Sequence, residues 1–157
     1  MLEKPYYKVE IGEAIVKQLK TITTENGYSQ TLKSVLFDKV KVNIADYKRH
    51  EIPAIQLIDL QKTYQGVFKR SDSIWSLAIE LALKNTKGTV GTIDQKALWR
   101  LQQDITDCLM KKPKLGLSWV KQINLIDEVT DLHTTDDLYT GILGLNVSYS
   151  EVLRDQN

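Results

Sequence analysis

The sequence predicts a single α+β domain over residues 1–157. The expected architecture is a mixed, largely antiparallel β-sheet with two helices packed on one face, in the order α-β-β-β-α-β-β. Two observations carry this. Two stretches repeat apolar residues at helical spacing, and several others alternate apolar and polar residues as half-buried strands do. A chain of 157 residues, 42% of them hydrophobic and 26% charged, is also the size and composition of one ordinary domain. At that length roughly 70% of the unfolded surface can be buried, so neither disulfide nor metal is needed to hold a core.

The first helix is expected over Tyr7 to Thr24. Ile11, Ile15, Leu19 and Ile22 fall on one face, and Glu13 and Lys17 form a pair in the favourable order on the other. Gly27 is placed to end it. Ser34 to Ile44 follows as a strand, with Leu36, Val40, Val42 and Ile44 sharing one parity. Ile52 to Leu60 is a second strand, apolar at both parities and so expected to be covered on both faces, with Pro53 at its start.

Gln61 to Asp72 is polar and basic, and reads as a projecting loop or flexible hairpin. Ser73 to Lys84 then carries the cleanest β signal, Trp75, Leu77, Ile79, Leu81 and Leu83 alternating with smaller or polar residues. After the Gly88–Gly91 connection, Thr92-Ile-Asp-Gln95 has the form of a capping box. The second helix takes Leu98, Leu101, Ile105, Cys108 and Leu109 as its core stripe and stops before Pro113. Leu117 to Ile126 and Tyr139 to Glu151 are the last two strands. The acidic stretch between them reads as a solvated loop, and residues 152–157 as a polar, frayed tail.

Lys+Arg 21 against Asp+Glu 20 leaves a net charge of +1, without the basic field that general nucleic-acid or anionic-membrane binding requires. No apolar run reaches the length of a transmembrane helix, and the first residues lack the form of a secretory signal, so the expected setting is intracellular. Cys108 is the one cysteine, which excludes an intramolecular disulfide and reads as a buried structural thiol.

The candidate chemistry is incomplete at each place. His50 and His133 lie in polar stretches without a nucleophile elbow and read as exposed loop residues. Asp131, His133, Asp136 and Asp137 could gather around a metal, yet lack the glycine and distal glutamate of a calcium loop. Gly88 and Gly91 precede a helix without the lysine of a phosphate loop. No catalytic, cofactor or metal residue is therefore assigned, and the chain is not expected to be an enzyme. The enzymatic alternative is a small hydrolase using His133 with Asp131 and Asp136.

Binding surfaces are better represented. Lys62, Tyr64, Phe68, Lys69 and Arg70 combine the aromatic and basic residue types that concentrate binding energy at interfaces. Asp127, Glu128, Asp131, Asp136 and Asp137 form an acidic counterpart. Trp75 and Trp119 sit on apolar parities and read as core, whereas Trp99 stands off its helix stripe and faces outward. The two unlike charged patches are expected to lie at different interfaces and to steer assembly.

The leading helix Val9-Glu-Ile-Gly-Glu-Ala-Ile-Val-Lys-Gln-Leu19, the Ile52-Pro-Ala-Ile-Gln-Leu57 strand and the long alternating strand Trp75 to Leu83 occur in a recognisable order. With the second helix and the ending Gly141-Ile-Leu-Gly-Leu-Asn-Val-Ser-Tyr149, the chain resembles the tail terminator, or tail completion, proteins of long-tailed bacteriophages. The resemblance runs from about Tyr7 to Glu151 and rests on element order and short fragments.

It implies a structural virion protein, assembled in the host cytoplasm and placed at the head-proximal end of the tail. Such a protein caps the tail tube as a ring, expected to be a hexamer, and stops its polymerisation. Its partners would be copies of itself, the tail tube protein and a head connector, with DNA passing through the lumen without sequence-specific binding. No cofactor and no membrane are implied. A head–tail joining (neck) or tail tube subunit is the alternative within the same class.

Overall fold

The computed structural model describes residues 5–66, 70–84, 95–135 and 138–152, with side chains placed except at 45 and 131–135. Helix α1 spans Tyr7–Leu19 and α2 spans Gln95–Met110. The strands are β1 (Ser34–Leu36), β2 (Ala54–Gln65), β3 (Arg70–Lys84), β4 (Val120–Thr135) and β5 (Leu138–Val152). They make one sheet in the order β1-β2-β3-β5-β4. β1 pairs with β2 in parallel, and every other pairing is antiparallel, so the expected α+β class and element order hold.

The alternation that marks β3 and β5 is expressed directly. Trp75, Leu77, Ile79, Leu81 and Leu83 of β3 and Tyr139, Leu143, Leu145, Val147 and Tyr149 of β5 are buried on the face that receives both helices. There they join the predicted stripes, Ile11, Ile15 and Leu19 from α1 and Leu98, Leu101, Ile105, Cys108 and Leu109 from α2. The helices are also clipped to each other. Gln18 Nε2 donates to the Cys108 carbonyl at 3.0 Å, and Cys108 Sγ lies 3.2 Å from the Gln18 carbonyl, so the buried thiol is structural. At one end of this layer Tyr7 meets Trp119 edge-on at 4.9 Å and stacks near Tyr149 at 5.6 Å, which ties the start of α1 to the sheet.

Three boundaries differ from expectation. The first helix ends at Leu19; Ile22 is still buried, and Gly27 caps the short 3₁₀ turn Thr24–Asn26 with φ 89°. The strand expected over Ser34–Ile44 stops at Leu36. Beyond it the chain crosses the second sheet face, where Ile44, Tyr47 and Ile52 pack on Ala54, Ala82 and Leu138, while Val42 is fully exposed. The apolar alternation there had no neighbouring strand to pair with. Instead the buried Gln56 side chain satisfies the Lys41 backbone, accepting from its N–H at 2.9 Å and donating to its carbonyl at 3.0 Å.

The third difference is strand length. β2 and β3 extend as a hairpin to Gln65 and from Arg70, and β4 starts at Val120, not Leu117, and runs to Thr135 through the stretch read as an acidic loop. Register shifts at Lys121 and at Ile126 break the parity of β4, so Val120 and Ile123 are buried among its described side chains, with Leu125 partly buried. The capping-box residues Thr92–Asp94 and the tail from residue 153 lie outside the described residues.

Candidate interaction surfaces

Lys62 is not a free charge on a projecting loop. It belongs to β2, with its Nζ 2.6 Å from Glu151 Oε2, and both side chains are largely withdrawn from solvent. Ser73, on the strand between them, donates to the same carboxylate oxygen at 2.9 Å. The ammonium also lies 4.4 Å from the Tyr64 ring centroid and 5.6 Å from that of Tyr149. Burial presses the Lys62 pKa down, but the hydrogen bond to Glu151, with Tyr149 and Tyr64, outweighs it and leaves the pKa raised. This cluster locks three strands together, where polar spacing alone left a projecting loop or a flexible hairpin open; of the two, the hairpin is what β2 and β3 form.

Of the other basic-patch residues, Tyr64 is 59% exposed on β2 and Arg70 is exposed at the start of β3. Phe68 and Lys69 lie outside the described residues. Trp99 faces outward from α2 as expected, 54% exposed. His50 is exposed in the 3₁₀ turn Arg49–Glu51.

Three of the acidic residues, Asp127, Glu128 and Asp131, belong to a strand at the sheet edge. Asp127 and Glu128 are exposed on β4, which is the outermost strand on its side; Asp131 and His133 are in the same strand, their side chains outside the description. Asp136 and Asp137 lie outside the described residues, so the Asp131–His133–Asp136 grouping has no described geometry. The Asp127 carboxylate lies over Gly144 of β5, in the space a side chain there would need. Ile126, extruded by the bulge, and Val129 are 56% and 48% exposed beside these acids. An outermost strand of 16 residues presents a long row of unpaired backbone donors and acceptors, a natural template for another chain.

The other lateral edge is chemically different. β1 has only three residues, and between it and α1 runs a groove of about 670 Å³. Val9, Val16, Val35 and Phe37 supply its apolar lining, with Glu13, Lys17, Lys20 and Asp38 at the margin. The Phe37 ring occupies the space a side chain on Gly12 would fill, so the glycine lets it lie against the helix backbone. This groove was not anticipated from sequence. The available signal was the second apolar line on α1, Val9 and Val16, one heptad apart and off the core stripe.

A smaller cleft of about 330 Å³ opens at the end of the sheet between α2 and the start of β2, with Lys33, Lys84 and Arg100 among its lining. Among the described residues no group of three or more His, Cys, Asp or Glu side chains is placed to hold a metal ion, and no helix is long and apolar enough to cross a membrane. A scan against protein-family models returns no match, and a search among curated proteins returns none either.

Proposed function

We propose that the chain is a structural assembly subunit that forms a ring on the head-proximal end of a phage tail tube, ending its polymerisation and offering a surface to the head connector. The observation that carries the ring is the inequality of the two sheet edges. A long edge strand with exposed Ile126, Asp127, Glu128 and Val129 stands on one side, and a grooved edge with a three-residue strand on the other. Identical subunits with two unlike lateral surfaces associate head to tail, and such contacts close into rings when the rotation allows. The tail-end location rests on the sequence resemblance from Tyr7 to Glu151.

Electron microscopy of particles lacking the chain tests the role. Overlong tubes are the expected result. Normal-length tails that merely lack heads would reassign the chain to joining head and tail.

A further inference from the structure

We infer that the α1–β1 groove receives the β4 edge of a second copy of the chain, with Ile126 and Val129 entering the groove and Asp127 and Glu128 facing Lys17 and Lys20. The inference rests on the ring reading above and names the surfaces that make the ring.

Chemistry matches the two surfaces. The groove offers Val9, Val16, Val35 and Phe37, an apolar lining large enough for two aliphatic side chains. Lys17 and Lys20 stand exposed on its margin at the C-terminal end of α1, and neither has an acidic partner within ion-pair distance among the described residues; the exposed Glu13, one turn earlier, and Asp38 share the margin. On β4 the bulge turns Ile126 out of the ladder, next to two exposed carboxylates. Apolar residue meets apolar groove, and the two acids meet the lysine end of a margin whose other charges are Glu13 and Asp38.

The chain cannot satisfy itself. Four strand spacings of about 4.8 Å separate β1 from β4, so roughly 19 Å of sheet keeps the β4 edge from its own groove. Two-fold pairing of β4 with β4 is disfavoured, because it would set Asp127 and Glu128 of one copy near those of the other. Head-to-tail docking sets them instead toward the Lys17–Lys20 end of the groove and leaves each copy with one groove and one edge to offer.

Cysteine cross-linking tests the contact, using the whole chain with Cys108 left in place because it is buried. Val16→Cys and Ile126→Cys proteins are mixed under mild oxidation, alone and on assembling tail tubes. The expected result is a disulfide-linked heterodimer from the mixture, a ladder of higher oligomers from the double variant, and no dimer from either single variant. Equal cross-linking of one variant with itself, or no cross-link where light scattering finds oligomers, overturns the contact.

Charge reversal gives a second reading. Lys17→Glu/Lys20→Glu and Asp127→Lys/Glu128→Lys each weaken association, and mixing the two variants restores it; failure of that rescue overturns the pairing. Tube length is read in parallel. Tubes capped without a cross-link reject the contact alone, and cross-linked rings that leave tubes uncapped reject the tail-end role alone.

Discussion

The Lys62 ammonium and the Glu151 carboxylate meet at 2.6 Å across β3, joining β2 to the end of β5 with both groups largely removed from water. Removing one partner strands the other in a poorly solvated site. Lys62→Met should cost about 2 kcal/mol, and Lys62→Met/Glu151→Leu should recover most of that loss, because the pair itself contributes little beyond satisfying its own charges. Urea unfolding of the single and double variants checks this.

The same pair sets an alkaline limit. The Lys62 pKa is raised in the fold, burial opposing and the Glu151 hydrogen bond prevailing. Its contribution is therefore complete below the ordinary lysine value of about 10.4 and fades as pH rises through the folded value. Comparing unfolding midpoints from pH 8 upward should show the wild type converging on Lys62→Met.

Asp59 works at the other end of the pH scale. Its Oδ1 accepts from the Trp75 indole at 2.8 Å and from Lys8 at 3.1 Å. Burial pushes its pKa up, but the two hydrogen bonds and the Lys8 charge prevail and hold it below the ordinary value. This stability is present above the unfolded value of about 3.9 and is lost as pH falls through the folded one. Because the carboxylate is mostly exposed and screened, Asp59→Asn should cost under about 1 kcal/mol at neutral pH. The difference from wild type should vanish in acid, and tryptophan fluorescence across an acid titration follows it.

Gln56 pins the connection that crosses the second sheet face. Fully buried, its amide takes Lys41 N–H and the Tyr47 hydroxyl (3.1 Å) as donors, and gives to the Lys41 carbonyl and Glu80. Gln56→Leu leaves those groups unmatched and should cost about 2 kcal/mol. Faster amide exchange is expected at Lys41 and unchanged protection in β3 and β5. Tyr47 reports the same site: burial, with Glu51 and Glu80 nearby, pushes its phenol up to about 12, so it should ionise last or nearly so in a spectrophotometric titration.

Glycine to alanine inside a helix ordinarily stabilises by up to about 1 kcal/mol. Gly12→Ala should do the opposite, losing about 1–3 kcal/mol, because the new methyl occupies the seat of the Phe37 ring. Thermal unfolding measures the sign, and a stabilised variant would refute this account of the α1–β1 packing.

How much of this was written locally in the chain depends on which partner each residue needed. The core faces of α1, α2, β3 and β5 were legible because burial against a continuous layer imposes one clean period. Val40 and Val42 misled because an alternating run makes a strand only where another strand lies beside it. Here a side chain, Gln56, took the backbone bonds instead. The acidic β4 segment misled in the reverse direction. An outermost strand with bulges tolerates charge at either parity, so polarity did not mark a loop. Lys62 could not be placed without Glu151, remote in sequence, whereas Trp99 could, since its position off the α2 stripe sufficed.

In the proposed role this chain ends tube growth by closing a ring on the tube. The direct measurement is the length distribution of tail tubes assembled with increasing amounts of the purified chain. Progressively shorter tubes, each bearing a ring of extra density at one end, are the result this account requires. Tubes whose lengths ignore the chain, with bare ends at every ratio, would contradict it.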